Sequence, residues 1–324
     1  MDSNIDLEGL VPQLEFNPFR MIPGETPETR NAAWLSGLQK LYQVKGSALF
    51  LAEENGKLTG LCAFSPLPWD SKLFTQKMGQ IQYISITAST ENPLLAKEKL
   101  VQKTLIWAKS EQYSFLLHKC FSDNFRTISI LEKHGFALKS TILNFCFDFH
   151  SHKIDEMRAL ILPDDFSIRI AKPSDEEDTV IVSHQAYGNF FGRFHADERF
   201  TRSQATLVYE EWIHSSYHGY ADVILVAEHN RKIVGFSIWK KSSSEEKKLT
   251  NRLCHLSLGA VDPKYASKGI YNSLLFEGLK ALEPDNDLVL IPTQICNYAA
   301  QRAYIRLGWS PYDSFHDFHL WLSA

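Results

Sequence analysis

The chain repeats itself. Residues 51–60 (Leu-Ala-Glu-Glu-Asn-Gly-Lys-Leu-Thr-Gly) line up with residues 226–235 (Val-Ala-Glu-His-Asn-Arg-Lys-Ile-Val-Gly), and residues 123–136 line up with residues 296–309. The two matches keep the same order at nearly the same offset, which one folding plan written twice explains better than coincidence. At 324 residues the chain has room for two domains of ordinary size. We therefore expect two copies of one fold: a first domain over residues 1–150, a polar linker over 151–165 carrying Pro163, and a second domain over 166–324.

Each copy alternates strand and helix patterns, the signature of an α/β (α+β) fold with a mixed sheet flanked by helices. Residues 1–27, with Pro12, Pro18, Pro23, Gly24 and Pro27, are expected to be irregular. Residues 48–64 read as a hairpin turning at Asn55-Gly56. Helices are expected at 29–42, 94–109 and 124–134, and strands at 79–88, 113–118 and 141–149. In the second copy, residues 166–170 form a strand and 201–214 a helix. Residues 254–263 form a strand that runs through a turn at 265–271 into a helix at 272–282. A strand at 288–291 and a helix at 297–307 follow, with Gly308 as its C′ residue.

The strand-to-helix turn is where a ligand is expected. A helix start offers unpaired N–H groups and the positive end of a dipole, which suit a phosphate or pyrophosphate. The two copies differ there. The second has Gly269, whereas residues 87–93 of the first contain no glycine and set Glu91 near the anion position; Leu131 stands where the second copy has Tyr304. The first copy thus reads as structural, or as helping to shape an acceptor site.

Composition narrows the class. With 44% apolar and 22% charged residues the chain is globular, with no segment expected to insert in a membrane. A net charge of −4 gives no general electrostatic case for nucleic acid. The five cysteines (Cys62, Cys120, Cys146, Cys254 and Cys296) are scattered through apolar runs and read as buried free thiols; no Cys/His spacing suggests a metal. Residues 1–15 lack a basic start followed by an apolar core, so a cytoplasmic protein is expected.

Three groups of side chains offer chemistry. Tyr304 lies seven residues after Asn297, about two helical turns, on a stripe with Ala300, Ala303 and Leu307. Its phenol either donates a proton or is a core tyrosine with a bonded hydroxyl, and Asn297 caps its helix, joins the site, or does both. His255 alternates with Ser257 on the strand before the turn and is either a base working through water or an ordinary strand histidine. Arg193, His195, Arg199 and Arg202 are dense enough to bind a diphosphate. Tyr209 and Trp212 either stack on a base or sugar or turn into the core.

The order strand, Gly-containing turn, helix, strand and Asn-started helix ending in Leu-Gly-Trp resembles the acetyl-CoA-binding half of the GNAT superfamily of N-acetyltransferases. In that family the turn reads Gln/Arg-x-x-Gly-x-Gly/Ala; here Ala266, Gly269 and Tyr271 hold the three slots, and Tyr271 puts bulk where a close approach is expected. The resemblance implies acetyl-CoA as co-substrate, held by Leu258, Gly259, Ala260, Val261, Ala266, Ser267, Lys268, Gly269, Ile270, Tyr271, Asn297 and Tyr304. It also implies a general-acid role for Tyr304. The runs Arg193-Phe-His195, Tyr209-Glu-Glu-Trp212-Ile, Ala221-Asp222, Thr293-Gln294 and His319-Leu-Trp321 resemble amino-sugar-nucleotide N-acetyltransferases of the dTDP-fucosamine acetyltransferase type, as do residues 67–74 and 131–136. That likeness implies as small-molecule acceptor the amine of a nucleotide-linked deoxy amino sugar, contacted by Arg193, His195, Arg199, Arg202, Tyr209, Trp212 and Thr293. Another small-molecule amine, as in the similarly tandem mycothiol synthase, and a non-catalytic acyl-CoA-binding or interaction module are the alternatives. Monomer and homodimer are both open.

Overall fold

A computed structural model describes residues 6–156, 162–188 and 192–322. The chain divides into two compact units, one of Met1–Thr141, Lys248–Thr250 and Ser314–Ala324, the other of Ile142–Lys247 and Asn251–Asp313. The expected linker at 151–165, of which 157–161 lie outside the described residues, is therefore not where the units part. The cut falls inside a strand, and the last strand of the chain belongs to the first unit.

In chain order the first unit carries α1 (Leu7–Leu10), α2 (Pro27–Gln43), β1 (Ala48–Glu54), β2 (Lys57–Pro66), α3 (Pro68–Phe74), β3 (Met78–Ile86), α4 (Pro93–Ser110), β4 (Phe115–Phe121) and α5 (Phe125–Lys133). The start is less irregular than its prolines imply. Asp6 accepts the Gly9 N–H at 2.8 Å to cap α1, and Pro12 opens a 3₁₀ turn, where its missing N–H costs nothing. β1, β2 and β3 are antiparallel neighbours, and Asn55 and Gly56 take the positive φ their hairpin needs. β3 and β4 are parallel, but their ladder covers only Met78–Ile81 against Phe115–His118. The other edge of β4 is closed by β11 (Ser310–Trp321), paired antiparallel from Phe315 to Trp321.

Beyond Ile81 and His118 the gap between β3 and β4 is filled by the chain's own beginning. Leu14 bridges to Thr87, the Glu15 N–H donates to the Ile86 carbonyl at 2.9 Å, and the Ser85 hydroxyl donates to the Glu15 carbonyl. Phe16 stacks on Phe121 with ring centroids 6.4 Å apart, and the Arg20 guanidinium covers both rings while pairing with Asp123 at 2.6 Å. Under this strap lies Lys97, 0% exposed, its ammonium 3.5 Å from the Glu15 carboxylate and 3.3 Å from the Thr127 hydroxyl. Burial lowers the Lys97 pKa, and Glu15 works against that shift. Glu15→Gln should thus cost about 3 kcal/mol in denaturant unfolding, because it leaves a buried ammonium uncompensated, whereas Lys97→Met should be close to neutral. A negligible cost for Glu15→Gln would mean that the pair is not an anchor.

The second unit takes residues 142–148 of β5 (Ala137–Asp148), followed by β6 (Phe166–Ile170), α6 (Glu176–Tyr187), α7 (Arg202–Ser215), β7 (Val223–His229), β8 (Lys232–Lys241), β9 (Leu253–Val261), α8 (Ile270–Leu282), β10 (Leu288–Gln294) and α9 (Tyr298–Arg306). Its strands run β6-β7-β8-β9-β10-β5, all antiparallel except β9 and β10. α8 and α9 cover one core built on Phe145, Phe147, Trp239, Leu256, Leu275 and Ile291, while α6 and α7 cover Val226, Phe236, Ile238 and Leu258. Trp239 requires Gly278 on α8, where a Cβ would lie 2.1 Å from the indole ring. Cys62, Cys120, Cys146 and Cys254 are buried free thiols, and Cys296 is exposed. Among the described residues no helix is long and apolar enough to cross a membrane, and no group of three His, Cys, Asp or Glu could hold a metal ion.

Candidate active site

The site begins where two parallel strands part. β9 and β10 pair only over Leu253–His255 and Leu288–Leu290, then diverge, so residues 256–261 of β9 face no partner on the β10 side. On the other side, the β8 register skips Ser257: Ile238 pairs with Leu258 and Trp239 with Leu256. This bulge switches which side of the sheet alternate residues reach. Leu256 joins the core under α8 and α9, whereas Leu258 and Ala260 join the core under α6 and α7. Gly259, beyond the bulge, consequently turns toward α8.

The turn after β9 is exposed from Ala266 to Gly269. Ser267 has φ +65° and Gly269 φ +81°, and Gly269 begins α8 with no side-chain cap. A Cβ at Gly269 would meet nothing within 4 Å, but the positive φ favours glycine. The uncapped amides at this helix start, in open space, fit a pyrophosphate. Lys268 lies alongside, its ammonium 5.4 Å from the ring centroids of both Phe166 and Tyr265. Ile270 is buried against Leu274 and Val234 and anchors the first turn.

Tyr271 does not crowd that turn. Its ring lies against Gly259, and its hydroxyl meets the Tyr304 hydroxyl at 3.0 Å. Tyr304 is 3% exposed and packs edge-on against Phe145 at 5.5 Å. Burial pushes its pKa up to about 12, with hydrogen bonds from Tyr271 and Thr293 pulling the other way. Thr293 in turn accepts from the Asn297 amide at 3.2 Å, and Asn297 also caps α9 by accepting the Ala300 N–H at 3.3 Å. The cap is formed, and the same side chain reaches Thr293. Tyr271–Tyr304–Thr293–Asn297 is thus one chain of polar contacts inside an apolar core.

His255 lies at the closed end of the divergence, in register with Leu290. Thr293 is three residues further along β10, roughly 10 Å by strand rise, so His255 and Thr293 are not neighbours in the ladder. Its Nε2 is 2.8 Å from the Glu246 carboxylate. Burial raises the Glu246 pKa, but the His255 imidazole and Ser243 outweigh that and leave it lowered. Glu246 escaped the sequence reading, although Ser243-x-x-Glu246 has the reciprocal bonds of a capping box and could have flagged it. Tyr187 was missed as well: its hydroxyl donates to the Gly259 carbonyl at 2.9 Å, and its ring stacks on Tyr209 at 4.4 Å.

The expected acceptor residues converge in part. His195 stacks over Tyr209 at 6.2 Å and contacts the Thr206 hydroxyl at 3.3 Å; burial, then the Arg202 charge, lower its pKa. Arg202 donates to the Gly188 carbonyl, and Arg193 lies over the Phe194 ring at 4.7 Å. Arg199 is exposed. Tyr209 and Trp212 are partly buried and pack against the core under α6 and α7. Residues 189–191, at the head of the expected acceptor segment, lie outside the described residues.

No family model matches the chain. It is 21% identical over 275 residues to the spore coat polysaccharide biosynthesis protein SpsD of Bacillus subtilis (strain 168), covering 83% of this chain and 86% of that protein. Among solved structures it resembles a GCN5-related N-acetyltransferase from Sphaerobacter thermophilus (TM-score 0.62, 13% identity, 94% of this chain and 91% of that one). It also resembles a tandem GNAT protein from the clavulanic acid biosynthesis pathway (TM-score 0.58, 12% identity, 91% of this chain and 88% of that one). The chain has the tandem GNAT fold.

Proposed function

We propose that the chain is an acetyl-CoA-dependent N-acetyltransferase whose acceptor is the amine of a nucleotide-linked deoxy amino sugar, acting in surface-polysaccharide synthesis in the cytoplasm. The observation that carries the reaction type is the diverging β9/β10 pair, flanked by an uncapped glycine-started helix and by a buried tyrosine. The sugar reading draws on the residue pattern and on the polysaccharide role in the name of the Bacillus relative.

In this reading the amides of residues 267–271 hold the pyrophosphate, the Ala266 N–H being bonded to the Pro263 carbonyl, and the edge at Leu258, Gly259, Ala260 and Val261 bonds the pantetheine amides. Acetyl-CoA supplies the activated acyl group. Tyr304 gives its proton to the departing sulfur. His255, oriented by Glu246, receives the proton that the amine loses, through water. Arg193, His195, Arg199 and Arg202 would hold the diphosphate. A second reading keeps the chemistry with another small-molecule amine; it is favoured by Arg202, whose guanidinium is bonded to the Gly188 carbonyl rather than turned toward a shared anion pocket.

The strap over Lys97 fills the corresponding gap of the first unit, so calorimetry with CoA should find one site per chain. Gly269→Glu, which strains a positive φ and opposes an anion, should abolish it. Two equal sites, or full binding by Gly269→Glu, would overturn the placement. Acetyl transfer to a panel of nucleotide amino sugars tests the acceptor.

A further inference from the structure

Tyr304 cannot act as an acid without leaving a phenolate behind, and that phenolate would form in a place where burial opposes charge. Its immediate neighbours are therefore decisive. The Tyr271 hydroxyl, from the first turn of α8, meets the Tyr304 oxygen at 3.0 Å, and Thr293 on β10 is a further polar neighbour that lowers the Tyr304 pKa. Thr293 is braced by the Asn297 amide, which donates to its oxygen and so turns its hydroxyl hydrogen elsewhere. The Tyr271 ring is fixed against Gly259 on β9. A hydroxyl from a separate element, its ring held from behind, thus meets the Tyr304 oxygen.

We propose that Tyr271 is a positioning residue for the transfer: its hydroxyl donates to the Tyr304 oxygen and stabilises the phenolate that proton donation leaves. This rests on the general-acid reading of Tyr304. The acceptor nitrogen bonds the acetyl carbonyl carbon; when the C–S bond then breaks, its electron pair goes to sulfur and the Tyr304 O–H proton follows it. Negative charge is left on the Tyr304 oxygen, where the neutral hydrogen bond from Tyr271 becomes charge-assisted and strengthens. The proton lost by the acceptor nitrogen returns through water to restore the phenol, so the cycle closes without an oxidant or reductant. Two features favour this role over simple packing. The Tyr271 hydroxyl meets a reacting group rather than a backbone carbonyl, and Tyr271 is half-buried, with its ring carrying the apolar contacts without help from the oxygen.

The test uses the full chain with 3-fluorotyrosine placed at position 304, whose ionisation is followed by ¹⁹F NMR, in the parent and in Tyr271→Phe. The ring stays, so the core under α8 and α9 should stay folded; an unchanged melting profile checks this. Loss of a donor to the phenolate should raise the fluorotyrosine pKa by about one unit or more. In acetyl transfer, Tyr271→Phe should lower kcat roughly tenfold with KM for acetyl-CoA little changed. An unmoved fluorotyrosine titration would overturn the proposal whatever the rate. If the titration moves while Tyr304→Phe acetylates at the parent rate, the general-acid reading fails instead, and with it the catalytic part of the proposal alone.

Discussion

Tyr304→Phe should lower kcat for acetyl transfer by roughly 10²–10⁴, the usual worth of general acid catalysis, with CoA affinity nearly unchanged. The substitution removes one hydroxyl and keeps the ring, so the contacts with Phe145 and Trp309 persist. Some stability is also lost, about 1 kcal/mol, through the hydrogen bond with Tyr271. The loss therefore falls on the transition state. With its pKa near 12, Tyr304 remains protonated through the neutral range, so an alkaline fall in kcat near pH 7 to 9 would belong to another group. Leu131→Phe, at the equivalent place in the first unit, is the control and should leave the rate alone. A Tyr304→Phe enzyme at the parent rate on an established acceptor removes the assignment.

Cutting the chain at the position that composition suggests should unfold both pieces. Residues 1–150 would lack β11, and with it Phe318 and Leu322 from the core that contains Leu116 and Leu131. Residues 151–324 would lack the β5 segment that brings Phe145, Phe147 and Phe149 into the core around Tyr304. Burying each such side chain contributes roughly 1.5–3 kcal/mol, so three of them rival the whole stability of an ordinary domain, about 5–15 kcal/mol. Residues 142–313, by contrast, span the second unit without a missing strand and should melt cooperatively on their own. Circular dichroism on the three fragments decides it; a cooperative melt of 151–324 at the parent temperature would show that β5 is dispensable.

Local structure was readable because local chemistry dictates it. Asn55-Gly56 demands a hairpin, Asn297 a helix start and Gly308 a helix end, and the backbone supplies φ +54°, +74° and +94° at Asn55, Gly56 and Gly308. α6 and β11 were not read, although the acidic first turn of α6 at Glu176, Glu177 and Asp178 is a usable signal. What failed was everything decided at a distance. Polarity and Pro163 mark a plausible boundary at 151–165, but a strand belongs with whichever edge accepts its hydrogen bonds, and no pattern along the chain names that edge. Tyr271 shows the same limit within the site: as a letter it is bulk in a tight turn, and in three dimensions it is a second hydroxyl on Tyr304. Lys97 shows it too: nothing near it along the chain marks its burial, which Glu15 accompanies from the strap.

The closing of the first unit by β11 also sets an order of events during synthesis. Phe121 pairs with Phe315, so β4 waits for roughly two hundred further residues before its second edge is covered. At about 5–20 residues per second that wait is roughly 10–40 s, far longer than strands need to pair once both are present. The second unit is complete by Asp313 and can close first, although it is written second. Throughout that interval the β4 edge, with Phe115, Leu116 and Leu117 along it, is an open template for any other strand. Of the two halves, the nascent first one therefore has the greater need of a chaperone, and slow codons late in the message would lengthen its exposure.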